Sequence, residues 1–438
     1  MKRWCRVFSF NGLKAILAGI LFCTACTPAE DYILPPEIRV YSPFEGQSCG
    51  YGDTLMVEAK ITHHDRIDFV RVSLLGTAGQ PVAPSMDFIA GVTEYNLNAI
   101  ISLDNLLLAS GNLTLQVRAY AADVSSGAWI TLNYQQPEKS LSAFLSVCKS
   151  GPDRYSVYRT GLNRETDLLF SFDGDYTGSG ISSSKQIVYT CGSQTGSLRA
   201  WNLQNGTTEW SVPAIPAPPL PYFNSLYSTE NEVFISIRDG YIQGYDADGM
   251  ATFRSAVFTN GRFTHMMRTQ NWLAAIFEPY QGTLSSLIFF NYPGGTVYKQ
   301  IQFSGKAAGL GASGEEGVVL YVNETDSCRA LLFSYLLHAF VTIREFPFPE
   351  IDKVAGDFTS HTFLSAGSDV WWFRSASGSL VRYIQQGGIN AMVYDPMENL
   401  LFVSSGYNTG VYQIPDNQPV HTFVPEAEIV DIHLLYNR

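Results

Sequence analysis

From about residue 140 onward the chain repeats itself, and this constrains the fold more than any other feature. One copy reads as four short strands at 180–182, 186–190, 197–201 and 208–212. The next occupies 225–227, 233–237, 241–245 and 251–254, and the last full copy 389–394, 400–404, 410–414 and 420–423. Degenerate copies fit between them at 263–303, 307–348 and 353–386. A unit of about 37–48 residues with four strands cannot bury its own apolar face, so copies must stack, and the expected architecture is a β-propeller. The ends complete the count. Three strands precede the first copy, at 143–147, 154–158 and 167–172, and one follows the last, at 428–436. Three plus one make a seventh blade sealed by both ends of the domain, which removes the open edge of a sheet row. Seven blades are expected over residues 140–438, with six or eight if one degenerate copy is miscounted.

Residues 36–135 read as a separate all-β module. Alternating strands at 54–61 and 68–74, with later ones near 94–101, 111–121 and 128–134, give about seven short strands in 100 residues, the pattern of an Ig-like β-sandwich. The stretch 41–46 followed by Gly52-Asp53-Thr54-Leu55 resembles the opening of PKD-like modules of Bacteroidota lipoproteins. The whole chain is thus expected to be all-β. Aromatics at 13% and 37 glycines suit strands and tight turns.

The first 25 residues are set apart. Lys2, Arg3, Arg6 and Lys14 precede or border an apolar run from Leu13 to Ala25, too short for a bilayer span and typical of a secretory signal. Cys23-Thr24-Ala25-Cys26 resembles the bacterial lipobox, which implies cleavage before Cys26 and acylation of its sulfur. Residues 26–35 then form a tether. Its Glu30-Asp31 is similar to the acidic export tags of Bacteroidota surface lipoproteins, and an outer-membrane location on the surface or periplasmic face is expected. Without the four cationic residues of the signal the chain keeps 24 Lys plus Arg against 40 Asp plus Glu, a net charge of −16. That sign opposes general phosphate-backbone binding, so no nucleic-acid partner is expected. Cys49, Cys148, Cys191 and Cys328 are scattered and are expected to be buried thiols.

Residues 195–210 resemble the quinoprotein-type repeat of WD40-like propellers: Gly196 and Gly206 at turns, Ala200 between blades, and Trp210 docked on the neighbouring blade. The related turn Asp246-Ala247-Asp248-Gly249 is followed by Phe253 where a Trp would stand. The resemblance bears on fold, and no cofactor is expected.

Gly309-Leu310-Gly311-Ala312-Ser313-Gly314 has dinucleotide-loop spacing, but a strand follows it where that fingerprint needs a helix. These glycines are read as relief of crowding between inner strands. His63-His64-Asp65 ends a strand, where neighbouring side chains face opposite ways, so no metal site is expected. His265 and His433 fall on predicted innermost strands and could line a channel, whereas the acid pairs Asp173/Asp175, Asp246/Asp248 and Glu315/Glu316 sit in turns. No catalytic residue is assigned. The connections between blades and those joining second to third strands share one face of a propeller, which would bring Tyr176, Tyr222, Phe223, Tyr280 and Tyr407 to one rim as candidate ligand-binding residues. The expected function is a membrane-anchored module binding a glycan or an envelope protein through that face. The alternatives are a propeller-type polysaccharide hydrolase or lyase and an outer-membrane assembly scaffold.

Overall fold

The computed structural model describes residues 34–105, 108–216, 218–313, 317–375, 377–425 and 427–437. The signal segment, Cys26 and most of the tether lie outside the described residues. Among the described residues every regular element is a strand, so the chain is all-β. It divides into two compact units, one ending at Pro137 and the other beginning at Glu138.

The N-terminal unit is a six-stranded sheet around one core. The expected strands at 54–61 and 68–74 are one 22-residue strand, Thr54–Leu75. Its first half pairs with Glu37–Ser42, its second with Gly111–Ala121, and Met86–Ser102 follows it along both. The register breaks between Thr62 and Ile67. That irregularity bends the strand from one half of the sheet to the other, so Leu55, Val57, Ala59 and Ile61 and then Ile67, Val70, Val72 and Leu74 all reach the same core.

The second unit consists of seven four-stranded antiparallel sheets. Six follow in chain order, from Gly178–Ser182, Ile187–Cys191, Leu198–Asn202 and Thr208–Val212 to Ile389–Asp395, Leu400–Ser405, Asn408–Gln413 and Pro419–Phe423. The remaining sheet starts with Glu428–Tyr436 and continues with Leu141–Gly151, Arg154–Gly161 and Thr166–Asp173. This is the three-plus-one arrangement that the strand pattern predicts. The first strand of each sheet contacts the first strand of the next, and Gly178–Ser182 touches both Phe223–Ser228 and Glu428–Tyr436. The cycle of contacts is closed, and the unit is a β-propeller. Second strands are covered on both faces by neighbouring sheets, so Ile187–Cys191 and Thr362–Ala366 are buried throughout, while the outermost Thr208–Val212 is mostly open.

Sheets are joined by side chains as the repeat suggests. Trp210 donates from Nε1 to the Ala247 carbonyl of the next sheet at 2.8 Å. Its indole lies on Gly249, where an added Cβ would come 2.8 Å from the ring. Near the axis, a Cβ at Gly309 would lie 2.8 Å from Val354 of the following innermost strand, and one at Gly311 would overlap the Phe358 ring. These glycines serve close packing of one innermost strand against the next sheet and the segment that follows its first strand.

Candidate functional site

The innermost strands share a feature that alternation alone does not reveal. Five of them carry a one-residue register shift near their start, at Asn224, Thr264, Ala308, Asn390 and Val430. The residue before the shift turns between sheets: Phe223, Phe263, Ala307 and Ile429 are all buried. Phe223 is therefore core, and so is Tyr222, which packs edge-on against it with ring centroids 4.7 Å apart. This corrects their placement on the rim, because the strand begins where a loop was expected. Tyr280 and Tyr407 do stand on exposed connections, 41% and 55% open.

Tyr176 turns inward instead. Its hydroxyl lies 2.9 Å from Asp431 Oδ2 and 2.6 Å from Ser179 Oγ. Ser179 Oγ in turn lies 3.0 Å from Asp431 Oδ2 and 2.6 Å from His433 Nε2. Four polar side chains from the first and seventh sheets thus form one array along neighbouring innermost strands. Burial, and then the Asp431 carboxylate, push the Tyr176 hydroxyl well above its ordinary range, which keeps it a proton donor. The array stays accessible, with the His433 and Asp431 side chains 16% and 31% exposed.

The chemistry open to this array is limited by its geometry. A serine activated by a histidine needs the orienting carboxylate on the other ring nitrogen. Here Asp431 Oδ2 lies 3.6 Å from the same Nε2 that meets Ser179. The array offers donors and acceptors for a hydroxyl-bearing ligand; it lacks the geometry of a relay triad.

The connection leading into this region is held by Asp175. Its carboxylate accepts from the backbone N–H groups of Ser193, Gln194, Thr195 and Gly196 and from the Ser193 and Thr195 hydroxyls. Partial burial pushes this carboxyl up, but the Ser193 side chain and these N–H groups outweigh it and hold the group well below the usual carboxylate range. Asp246 likewise serves its own turn, accepting from the N–H groups of Asp248 and Met250. Glu315 and Glu316 lie outside the described residues.

In the third sheet His265 also stands on an innermost strand, with Nδ1 3.2 Å from the Thr264 hydroxyl. Burial, and then Lys306 and Lys353, lower its pKa to about 4. Both lysines open their innermost strands, are exposed, and have no carboxylate oxygen within 4 Å among the described residues. The Asn224 side-chain amide is buried, and neither its nitrogen nor its oxygen has a partner among the described residues. Such groups are uncommon in a folded interior.

In the N-terminal unit His63 and His64 are brought together rather than apart, with ring centroids 4.2 Å apart, because they fall in the irregular stretch of their strand. Their donor atoms and those of Asp65 lie within 4.8 Å of one another. Both nitrogens of His63 are nevertheless engaged, Nε2 with the Leu34 carbonyl at 2.7 Å and Nδ1 with the Asp65 N–H at 3.2 Å.

No protein-family model and no curated protein matches the chain. Among solved structures it is similar to a quinonprotein alcohol dehydrogenase-like protein from Bacteroides thetaiotaomicron, at 12% identity and a TM-score of 0.47, over 92% of this chain and 99% of that one. It is similar to the Dos1 propeller at 11% identity and a TM-score of 0.47, over 67% and 88% of the two chains. The computationally designed Ika8 protein gives 14% identity and a TM-score of 0.47, over 67% and 91%. Likenesses at this level say nothing of what the chain binds.

Proposed function

We propose that this protein is an exported outer-membrane lipoprotein whose propeller binds a glycan at the mouth of its central channel. In this reading residues 1–25 are a cleaved signal, acyl chains on Cys26 hold the membrane, and the N-terminal unit is an Ig-like spacer. The seven sheets are seven blades. The observation that carries the binding site is the Tyr176–Ser179–Asp431–His433 array, with mixed donors and acceptors on a partly open wall. Vicinal hydroxyls of a sugar match such an array, and other innermost strands add polar capacity: among the described residues the Asn224 amide has no partner and Lys306 and Lys353 have no carboxylate within 4 Å. An envelope-protein partner would instead draw on a broad exposed rim. Of the five aromatics expected there, only Tyr280 and Tyr407 remain exposed.

A hydrolytic reading has one observation in its favour, the 2.6 Å contact of Ser179 Oγ with His433 Nε2. The position of Asp431 on that same nitrogen weighs against it. Binding of the lipid-free protein to a panel of polysaccharides and purified envelope proteins tests the proposal. Retention by at least one polysaccharide, without turnover, is expected. Silence across the polysaccharides from well-folded protein would overturn it. For the anchor, Cys26→Ala should move the protein from the membrane fraction to the soluble fraction and abolish labelling by a palmitate analogue.

A further inference from the structure

We infer that the groove between the outer strands of the fifth and sixth sheets is a second carbohydrate site, selective for a carboxylate-bearing sugar such as a hexuronic acid. The groove encloses about 520 Å³, within the roughly 300–1,000 Å³ range of small-ligand sites. Its floor includes Trp372, on Asp369–Arg374, and its far wall is the Pro415–Val420 segment entering the outermost strand of the sixth sheet.

Arg374 is the recognition element. Its guanidinium lies 3.8 Å from the centroid of the Trp372 ring. Stacking on an aromatic face leaves the N–H edge of a guanidinium free and pre-oriented, and that edge fits a carboxylate bidentately. Among the described residues no carboxylate lies within 4 Å of Arg374, so the ion pair it is shaped for is unfilled. In a chain of net charge −12 an exposed guanidinium without an acidic partner marks a local preference for an anion.

The facing wall suits the hydroxyls of a sugar acid. Asp416, Asn417 and Gln418 are exposed on the facing wall. Asp416 accepts readily from hydroxyls, and the two amides both donate and accept, so this wall suits the hydroxyl-bearing part of a ligand. A ligand with one carboxylate and several hydroxyls satisfies both walls at once. Among the described residues the buried Trp372 Nε1–H has no acceptor. This site shares no residue with the channel array, and the inference stands apart from the channel reading.

Oligogalacturonic acid and galactose oligomers of equal length provide the test, titrated into wild-type protein, Arg374→Ala and Arg374→Lys by calorimetry. The acidic oligomer should bind at least tenfold more tightly than the neutral one. Arg374→Ala should abolish that preference, Arg374→Lys should retain part of it, and melting temperature should be unchanged in both. No binding of the acidic oligomer, equal binding of both oligomers, or a preference that survives Arg374→Ala would each overturn the inference. If Arg374→Ala unfolds the protein, Asp416→Ala, which should weaken both oligomers through lost hydroxyl contacts, decides in its place: no effect on either would overturn the inference.

Discussion

Removing residues 428–438 should unfold the propeller. The strand Glu428–Tyr436 is the innermost member of a sheet whose other strands come from Leu141–Gly151, Arg154–Gly161 and Thr166–Asp173. It buries Ile429 at 0%, Ile432 and Leu435 at 3% and Leu434 at 7% exposure. Fully burying one such side chain contributes about 1.5–3 kcal/mol, so the four together contribute about 6–12 kcal/mol. The total stability of a domain is about 5–15 kcal/mol. The truncated chain should therefore aggregate or be degraded, while a chain ending at Pro137 should remain soluble. A graded version avoids total loss. Ile429→Ala should cost about 2–5 kcal/mol. For a unit of roughly 300 residues, an unfolding entropy of about 2.1 cal/mol/K per residue converts this to a fall in melting temperature of about 3–8 °C. Thermal unfolding followed by circular dichroism, with gel filtration of the truncated form, reads both. A soluble, monomeric truncation that melts with the full-length protein would refute closure by this strand.

Gly311→Ala should lower the melting temperature by about 2–5 °C, because its Cβ would overlap the Phe358 ring and overpacking costs about 1–3 kcal/mol; an unchanged value would show that this innermost strand is not packed this tightly. His265 is neutral in the folded chain down to about pH 4 while the unfolded chain takes up a proton near pH 6.5. Its contribution is thus complete above pH 6.5 and lost as pH falls towards 4. His265→Gln should lose less stability than wild type between pH 7 and 4.5, and equal losses would contradict this. Burial pushes the Cys148 thiol up to about 12 and the Cys328 thiol to about 11, and all four described cysteines are free and buried. A thiol reagent at pH 8 should leave these four thiols unlabelled in the native protein and label them in denaturant; fast native labelling of any of the four would count against the packing.

The features legible in the sequence were those set by local repetition. The four-strand period and the three-plus-one ending follow from turn residues and alternation over short windows, whereas the docking of Trp210 on the next sheet was implied by the resemblance of residues 195–210 to the quinoprotein-type repeat. What depends on register was hidden. Phe223 looked like part of a proline-rich loop, yet a one-residue shift at Asn224 makes it the first buried position of a strand. His63 and His64 are adjacent on a strand and still share a side, because the register breaks between Thr62 and Ile67. The channel array was half visible. His433 falls on a recognisable innermost strand, but Ser179 stands 254 residues away and becomes its neighbour only when the ring closes. Arg374 gave no signal at all, since an isolated arginine in a strand reads as an ordinary surface residue until the facing wall is in place.

The affinity of Asp431→Asn for the polysaccharide retained by wild-type protein shows whether the channel array holds the ligand. Asp431 Oδ2 meets both Tyr176 and Ser179, so the substitution removes the charge and one acceptor from the middle of the array while conserving its shape. Loss of a hydrogen bond to a charged group is worth about 1.5–3 kcal/mol, or a weakening of about 10- to 150-fold. That loss is expected, with Tyr407→Ala, at an exposed connection, changing affinity by less than threefold. Wild-type affinity in Asp431→Asn, measured on protein with an unchanged melting temperature, would contradict it.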